Sequence, residues 1–131
     1  MALLGKQIFR RLRSSLAISE DISVSVVPDS VRIFDSYEES RPILVEIENT
    51  GQMDYEFDIE ISLPEHVQAK LNGDVYSDKI KTTTNLGPDG RFPGNISLRH
   101  DAEKQMSGII QVNISHKTKE FSEEVDCVLK I

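Results

Sequence analysis

The sequence lacks several features that would place it among metalloproteins or disulfide-rich proteins. It contains one cysteine, Cys127, so an internal disulfide is impossible and a reducing compartment is expected. It has no CxxC or HxxxH spacing, and its three histidines lie far apart. A structural zinc site needs four ligands brought together. We therefore predict no metal centre, and we expect Cys127 to pack in the core as a small apolar residue.

Long apolar runs and catalytic signatures are also missing. No stretch approaches the roughly 18–20 apolar residues that a membrane-spanning helix needs. The N-terminus lacks the apolar core and small-residue cleavage site of a secretory signal. We therefore expect a cytoplasmic protein, with the membrane surface as the alternative place of action. No Gly-x-Ser-x-Gly, Walker or dinucleotide-binding motif occurs, which predicts a non-enzymatic protein without a cofactor.

The charge is distributed unevenly along the chain. The net charge is −7, yet residues 1–19 contain four bases and no acid. All 22 acids therefore lie in residues 20–131 beside 11 of the 15 bases, which gives that part a net charge of −11. A nucleic-acid binder neutralises phosphates with clustered bases. The acidic body therefore predicts that nucleic acid is not a partner.

Residues 1–20 are predicted to form a basic amphipathic helix. At 100° per residue one arc is apolar, and the opposite side is basic. The apolar residues are Leu4, Ile8, Phe9, Leu12 and Leu16, and the basic ones are Lys6, Arg10 and Arg13, with Arg11 at a border. Three uses remain open. The helix could dock on the body of the protein, lie on an anionic membrane, or enter a groove of a partner.

From Ile22 onward the apolar pattern changes to a period of two, which indicates β-strands. Short strands with turn signals about every ten residues predict an all-β fold for residues 21–131. We expect an immunoglobulin-like antiparallel sandwich of two sheets and seven to nine strands. The clearest predicted hairpin joins a strand at Ile43–Ile47 to one at Tyr55–Ile61 through the turn Asn49-Thr50-Gly51.

This predicted hairpin carries a possible acidic contact face. If the apolar residues of the second strand face the core, its acids share the outer face with those of the first strand. The six residues are Glu46, Glu48, Asp54, Glu56, Asp58 and Glu60. Like charges on adjacent strands are destabilising, so the face needs cations from a neighbouring strand, a partner or a metal. A solvated face, a basic partner and calcium all remain open, although the absence of EF-hand spacing disfavours calcium.

The order of several short motifs resembles a known group of domains. The motifs are Val27-Pro28, Ile43-Leu44-Val45-Glu46-Ile47-Glu48-Asn49-Thr50-Gly51, Ile61-Ser62-Leu63-Pro64, Leu86-Gly87-Pro88-Asp89-Gly90 and Gly108-Ile109-Ile110. They resemble the CARDB and NEW3-type immunoglobulin-like domains of archaea and bacteria, in which V-x-N-x-G and L-x-P-G turns recur. Asn49 and Gly51 match the first turn, and Asp89 puts Gly90 one residue late for the second. The resemblance implies an adhesion, spacer or interaction module without catalytic residues.

These observations predict a non-enzymatic interaction module that binds another macromolecule through the surface of the sandwich. Exposed sheet edges are templates for strand addition, so both a protein partner and self-association are expected possibilities. The alternative is a peripheral membrane protein that residues 1–20 attach to anionic lipid.

Overall fold

The computed structural model describes residues 21–34, 39–117 and 119–131, so the predicted basic helix lies outside the described residues. These residues form nine strands, as expected for a sandwich of seven to nine strands. The strands are β1 (Ile22–Val27), β2 (Ser30–Ile33), β3 (Ile43–Asn49), β4 (Tyr55–Ser62), β5 (Val67–Leu71), β6 (Lys79–Leu86), β7 (Arg91–His100), β8 (Met106–His116) and β9 (Lys119–Leu129).

Two sheets pack face to face, with the order β1-β3-β7-β5 in one and β2-β9-β8-β4-β6 in the other. This division confirms the all-β, two-sheet prediction and follows the immunoglobulin-like plan. The expectation of purely antiparallel pairing is wrong at one place, because β2 runs parallel to β9, with Ser30 beside Asp126. Only Pro28 and Asp29 separate β1 from β2. The extended chain therefore passes from one sheet to the other without a reversing turn.

The core is built from the inward-facing residues of both sheets. Alternate residues are buried along β3 and β4, as the period of two predicted. Cys127 lies among them with 1% of its surface exposed, which confirms its expected place in the core. Burial raises the pKa of its thiol, because the thiolate would lose its hydration there. Cys127 is therefore an inert structural thiol.

The predicted hairpin between β3 and β4 is wrong. β3 pairs with β1 and β7 in the four-stranded sheet, whereas β4 pairs with β6 and β8 in the five-stranded sheet. The connection at residues 50–54 crosses from one sheet to the other. Both strands alternate apolar and polar residues, and this period is the same for a hairpin as for such a crossing. The alternation alone therefore could not distinguish the two connections.

Asn49 holds this crossing in place. Its side chain is fully buried, and its Nδ2 lies 2.7 Å from the Met53 carbonyl oxygen and 2.9 Å from that of Leu86. Its Oδ1 accepts a hydrogen bond from the Gly51 amide at 2.9 Å. Its backbone donates to the Gly90 carbonyl and accepts from the Asp89 amide. One residue thus joins the 50–54 crossing to the 87–90 loop.

The two glycine-containing motifs of the sequence therefore meet at one contact. A Cβ at Gly51 would lie 2.5 Å from the Asp21 Cγ, so a larger residue at this position would have to displace the Asp21 side chain. In the second motif Asp89 adopts a φ of 64°, a left-handed conformation that aspartate tolerates better than most residues. Asp89 therefore takes the left-handed conformation that glycine adopts most readily.

We predict that Asn49→Ala lowers the free energy of unfolding by about 2–3 kcal/mol, because buried carbonyl and amide groups lose their partner. Asn95→Ala, an exposed change on β7, is the matched control and should leave stability within about 0.5 kcal/mol. Urea unfolding followed by circular dichroism measures both variants. Equal stability of the two would show that Asn49 does not hold the crossing.

Candidate interaction surfaces

The six acids of the predicted contact face do not lie together. Glu46 and Glu48 lie on the outer face of the four-stranded sheet, whereas Glu56, Asp58 and Glu60 lie on the outer face of the five-stranded sheet. Asp54 precedes β4 in the crossing. The prediction of one shared face is wrong, because it depended on a hairpin that does not form.

Neighbouring strands supply partners to most of these acids. The guanidinium group of Arg91, on β7, lies 3.8 Å from Glu46 and 3.7 Å from Glu48. On the other sheet, the Lys79 Nζ lies 2.6 Å from a carboxylate oxygen of Glu60. The Thr83 hydroxyl donates a hydrogen bond to Asp58 at 2.8 Å. Cations and donors from adjacent strands, one of the open interpretations, thus offset much of the like-charge repulsion.

Glu56 differs from the other acids of β4. In the register of β4 and β6 its neighbour is Asn85, a neutral residue. Among the residues that the structure describes, no lysine, arginine or histidine forms an ion pair with Glu56. Its carboxylate is therefore exposed and forms no ion pair among those residues.

Glu60 has a clearly shifted pKa. The hydrogen bond from Lys79 and its positive charge lower the pKa of Glu60, with a smaller contribution from Lys81. A lowered folded-state pKa means that the interaction stabilises the fold above the unfolded-state pKa of glutamate. This stabilisation is lost as the pH falls through the folded-state pKa. The pKa of Glu60 is therefore a measure of the pairing between β6 and β4.

We predict that Lys79→Gln raises the pKa of Glu60 toward the ordinary value for glutamate, because both the hydrogen bond and the charge are removed. Lys81→Gln is the matched control, and its effect should be smaller in the same direction. An NMR pH titration that follows the Glu60 carboxyl carbon measures both. A larger effect from Lys81→Gln would contradict the observed pairing.

β6 extends beyond the cover of the opposite sheet. It is the outermost of five strands, and the facing sheet has four. Thr82 is in register with the buried Ile59 and faces the same side, yet Thr82 is exposed. Threonine suits this inward-facing position because the position remains exposed to solvent. The three successive threonines also favour an extended strand. β6 therefore contributes Leu86 and Ile80 to the core at its two ends and leaves its middle, at Thr82, exposed.

β6 is also the longest open sheet edge in the described part of the chain. It has eight residues and pairs only with β4. The edge of β5 is covered, because Ala69 and Ser77 exchange backbone hydrogen bonds at 3.0 and 2.9 Å. The other two edge strands are shorter, with six residues in β1 and four in β2. Unpaired backbone groups at such an edge are a template for another strand.

The register shows which backbone groups of β6 lie on the open side. The Glu56 carbonyl points toward β8, where it lies 2.9 Å from the His116 Nδ1. Successive residues of a strand direct their backbone groups to alternate sides, so Phe57 and Ile59 direct theirs toward β6. Their register partners Thr84 and Thr82 bond to β4. The intervening residues, Lys81, Thr83 and Asn85, therefore present their amides and carbonyls to solvent.

A shallow polar groove lies beside this edge. It has a volume of about 480 Å³ and crosses the outer face of the five-stranded sheet. Its charged lining residues are Asp58, Glu60, Lys81 and Glu120. Across residues 21–34, 39–117 and 119–131 there is no cluster of three or more histidine, cysteine or acidic side chains placed to hold a metal ion. The calcium interpretation of the acidic residues thus gains no support there.

The predicted membrane or partner contact lies before the described part of the sandwich. Its nine residues, Leu4, Lys6, Ile8, Phe9, Arg10, Arg11, Leu12, Arg13 and Leu16, lie outside the described residues. Within the described ranges, no helix is long and apolar enough to cross a membrane.

Comparison with known proteins supports the fold. No protein-family model and no curated protein matches the chain. Among solved structures, the chain is similar to the CooA pilin subunit from enterotoxigenic Escherichia coli, at 12% identity and a TM-score of 0.53, over 85% of this chain and 98% of that one. It is also similar to PapD-like domain 7 of human CEP192, at 12% identity and a TM-score of 0.47, over 82% and 83% of the two chains. The similarity to the pilin subunit shows a shared sandwich fold.

Proposed function

We propose that this chain is a non-enzymatic interaction module that binds a protein partner by adding the partner's strand to β6. The open eight-residue edge is the observation that carries the proposal. Strand addition draws its affinity from main-chain hydrogen bonds and its specificity from alternate side chains. Lys81, Thr83 and Asn85 supply three amides and three carbonyls for such bonds. An added strand would lie two strands away from Glu56, on the far side of the neutral Asn85.

The two lysines of β6 limit which strands can pair with its open edge. Lys79 and Lys81 lie on the outer face of an otherwise uncharged strand. Lysines on an edge strand disfavour indiscriminate pairing, because an approaching strand must accommodate their charge. A partner with acidic or neutral residues opposite them is accepted, whereas one with lysines or arginines there is rejected. The edge is therefore selective.

We also propose that the chain is related to the CARDB and NEW3-type domains. The support is the contact at Asn49, which gives the N-x-G and L-x-P-x-G motifs one shared structural role. Those domains generally serve as adhesion, spacer or interaction modules, which agrees with a module that binds through an edge.

We predict that Thr83→Pro abolishes peptide binding at the β6 edge and leaves the fold intact. Proline removes an amide that faces solvent and is tolerated on edge strands. Thr83→Val is the matched control, since it loses the same hydroxyl and keeps the amide. Peptides selected from a random library against the wild-type chain should bind Thr83→Val and lose at least about 10-fold in affinity for Thr83→Pro.

The melting temperature of Thr83→Pro shows whether the variant is folded. Selected peptides that bind both variants equally would place the binding surface elsewhere and overturn the proposal. Peptide-induced chemical-shift changes confined to β1 would do the same.

A second candidate function is attachment to anionic membrane through residues 1–20. The observation that favours it is the presence of four bases and no acid in residues 1–19 of a chain whose net charge is −7. Together with the apolar residues of the predicted helix, these bases suit an anionic lipid surface.

We predict that Arg10→Glu, Arg11→Glu and Arg13→Glu together weaken binding to phosphatidylserine-containing vesicles by at least about 100-fold, since each base contributes about 1 kcal/mol. The matched control reverses three exposed lysines of the sandwich, Lys104, Lys117 and Lys119, to glutamate. Vesicle sedimentation at low salt measures both triple variants. Absence of wild-type sedimentation, or equal loss in the control, would rule out this attachment.

A further inference from the structure

We propose that the strand which β6 receives is β6 of a second copy of this chain, in a twofold antiparallel pairing centred on Thr82 or Thr83. This inference rests on the proposed function, because it names the occupant of the same open edge. The two five-stranded sheets would then join into one continuous sheet of ten strands. Pairing through identical surfaces closes the assembly at two copies along this edge.

The alternation of side chains limits the possible registers. Directly opposed residues of an antiparallel pair face the same side of the sheet. A slip of one residue would therefore place outward-facing residues of one copy opposite inward-facing residues of the other. A twofold pairing must therefore be centred on a residue, not between two residues. Centring it on Thr82 or Thr83 leaves nearly all eight residues of β6 in the pair. Centring it on Lys81 would place two lysines directly opposite each other, which is destabilising.

Both remaining registers bring a lysine toward Glu56, and the Thr83 register does so without using Lys79, which already pairs with Glu60. With the centre at Thr83, Lys81 of the second copy lies opposite Asn85, in the row that continues to Glu56. With the centre at Thr82, Lys79 of the second copy occupies that place, and its Lys81 enters the row of Asp58. In either case the lysine lies two strands away from Glu56, and about 10 Å separates their Cα atoms. The long lysine side chain spans this distance above the shorter Asn85.

This arrangement supplies what the single chain lacks at this edge. Glu56 has no ion pair in the part of the chain that the structure describes. In the twofold dimer, each copy brings one lysine toward Glu56 of the other copy. The exposed Thr82 gains a neighbouring strand on its open side. The solvent-facing backbone groups of Lys81, Thr83 and Asn85 gain partners. One pairing thus satisfies two features of β6 and the neighbouring Glu56 of β4.

Sedimentation equilibrium over a concentration series tests the association. The wild-type chain and Thr83→Val should form dimers with similar dissociation constants, whereas Thr83→Pro should weaken the dimer at least about 10-fold. Glu56→Gln should weaken it by between about 2-fold and 30-fold, since two Lys–Glu contacts are lost. Glu65→Gln, an exposed change outside β6, is its matched control and should have no effect. A wild-type chain that stays monomeric at millimolar concentration would overturn the proposal.

Cysteine cross-linking tests the register directly and does not depend on the proline variant. Cys127 is buried, so the wild-type chain should form no disulfide-linked dimer and serves as the control. Under mild oxidation either Thr83→Cys or Thr82→Cys should form a disulfide-linked dimer, because residues at the twofold centre have Cα atoms about 5 Å apart. Lys81→Cys should not cross-link. Efficient cross-linking through Lys81→Cys, or through none of the three, would contradict the register.

The outcomes separate this inference from the proposed function. If the chain is monomeric yet selected peptides bind Thr83→Val and not Thr83→Pro, the edge accepts strands and the second copy is the wrong occupant. If neither dimers nor edge-dependent peptide binding is found, both proposals fail.

Discussion

The crossing between β3 and β4, held by the buried side chain of Asn49, is the constraint on which the arrangement of this sandwich depends. Because the chain changes sheets there, β4 lies inside the five-stranded sheet and not beside β3. β6 then pairs with β4 and becomes the outermost strand. A hairpin at the same place would have gathered the acids on one face. The crossing instead divides them and leaves a long open edge beside the second group.

Charge and edge chemistry are linked through β6. Lys79 compensates Glu60, and the Thr83 hydroxyl compensates Asp58, so the strand that presents the open edge also stabilises the acidic face. Glu56, one position farther along β4, has only the neutral Asn85 as its β6 neighbour. The same strand therefore combines satisfied acids, one uncompensated acid and a row of free backbone groups. This combination favours pairing with a strand of defined charge over non-specific association.

The period of two predicted most strands, the two-sheet fold and the core position of Cys127, because alternation reports burial directly. It could not predict which strands pair, since Ile43–Ile47 and Tyr55–Ile61 alternate identically in a hairpin and in a crossing. β6 (Lys79–Leu86) gives only a weak apolar signal, because Thr82 and Thr84 hold two of its inward positions between the partly buried Ile80 and the buried Leu86. The open edge was therefore hidden from sequence reasoning, although the run Thr82–Thr84 marked an extended segment.

Amide hydrogen exchange along β6 tests most directly whether this edge is open and ready to receive a strand. In dilute solution the amides of Lys81, Thr83 and Asn85 should exchange fast, whereas those of Thr82 and Thr84, bonded to β4, should be protected. When a strand is added, the three fast amides should become slow and the others should change little. Equal protection of all these amides in the dilute monomer would contradict the account, because it would mean that β6 is already covered.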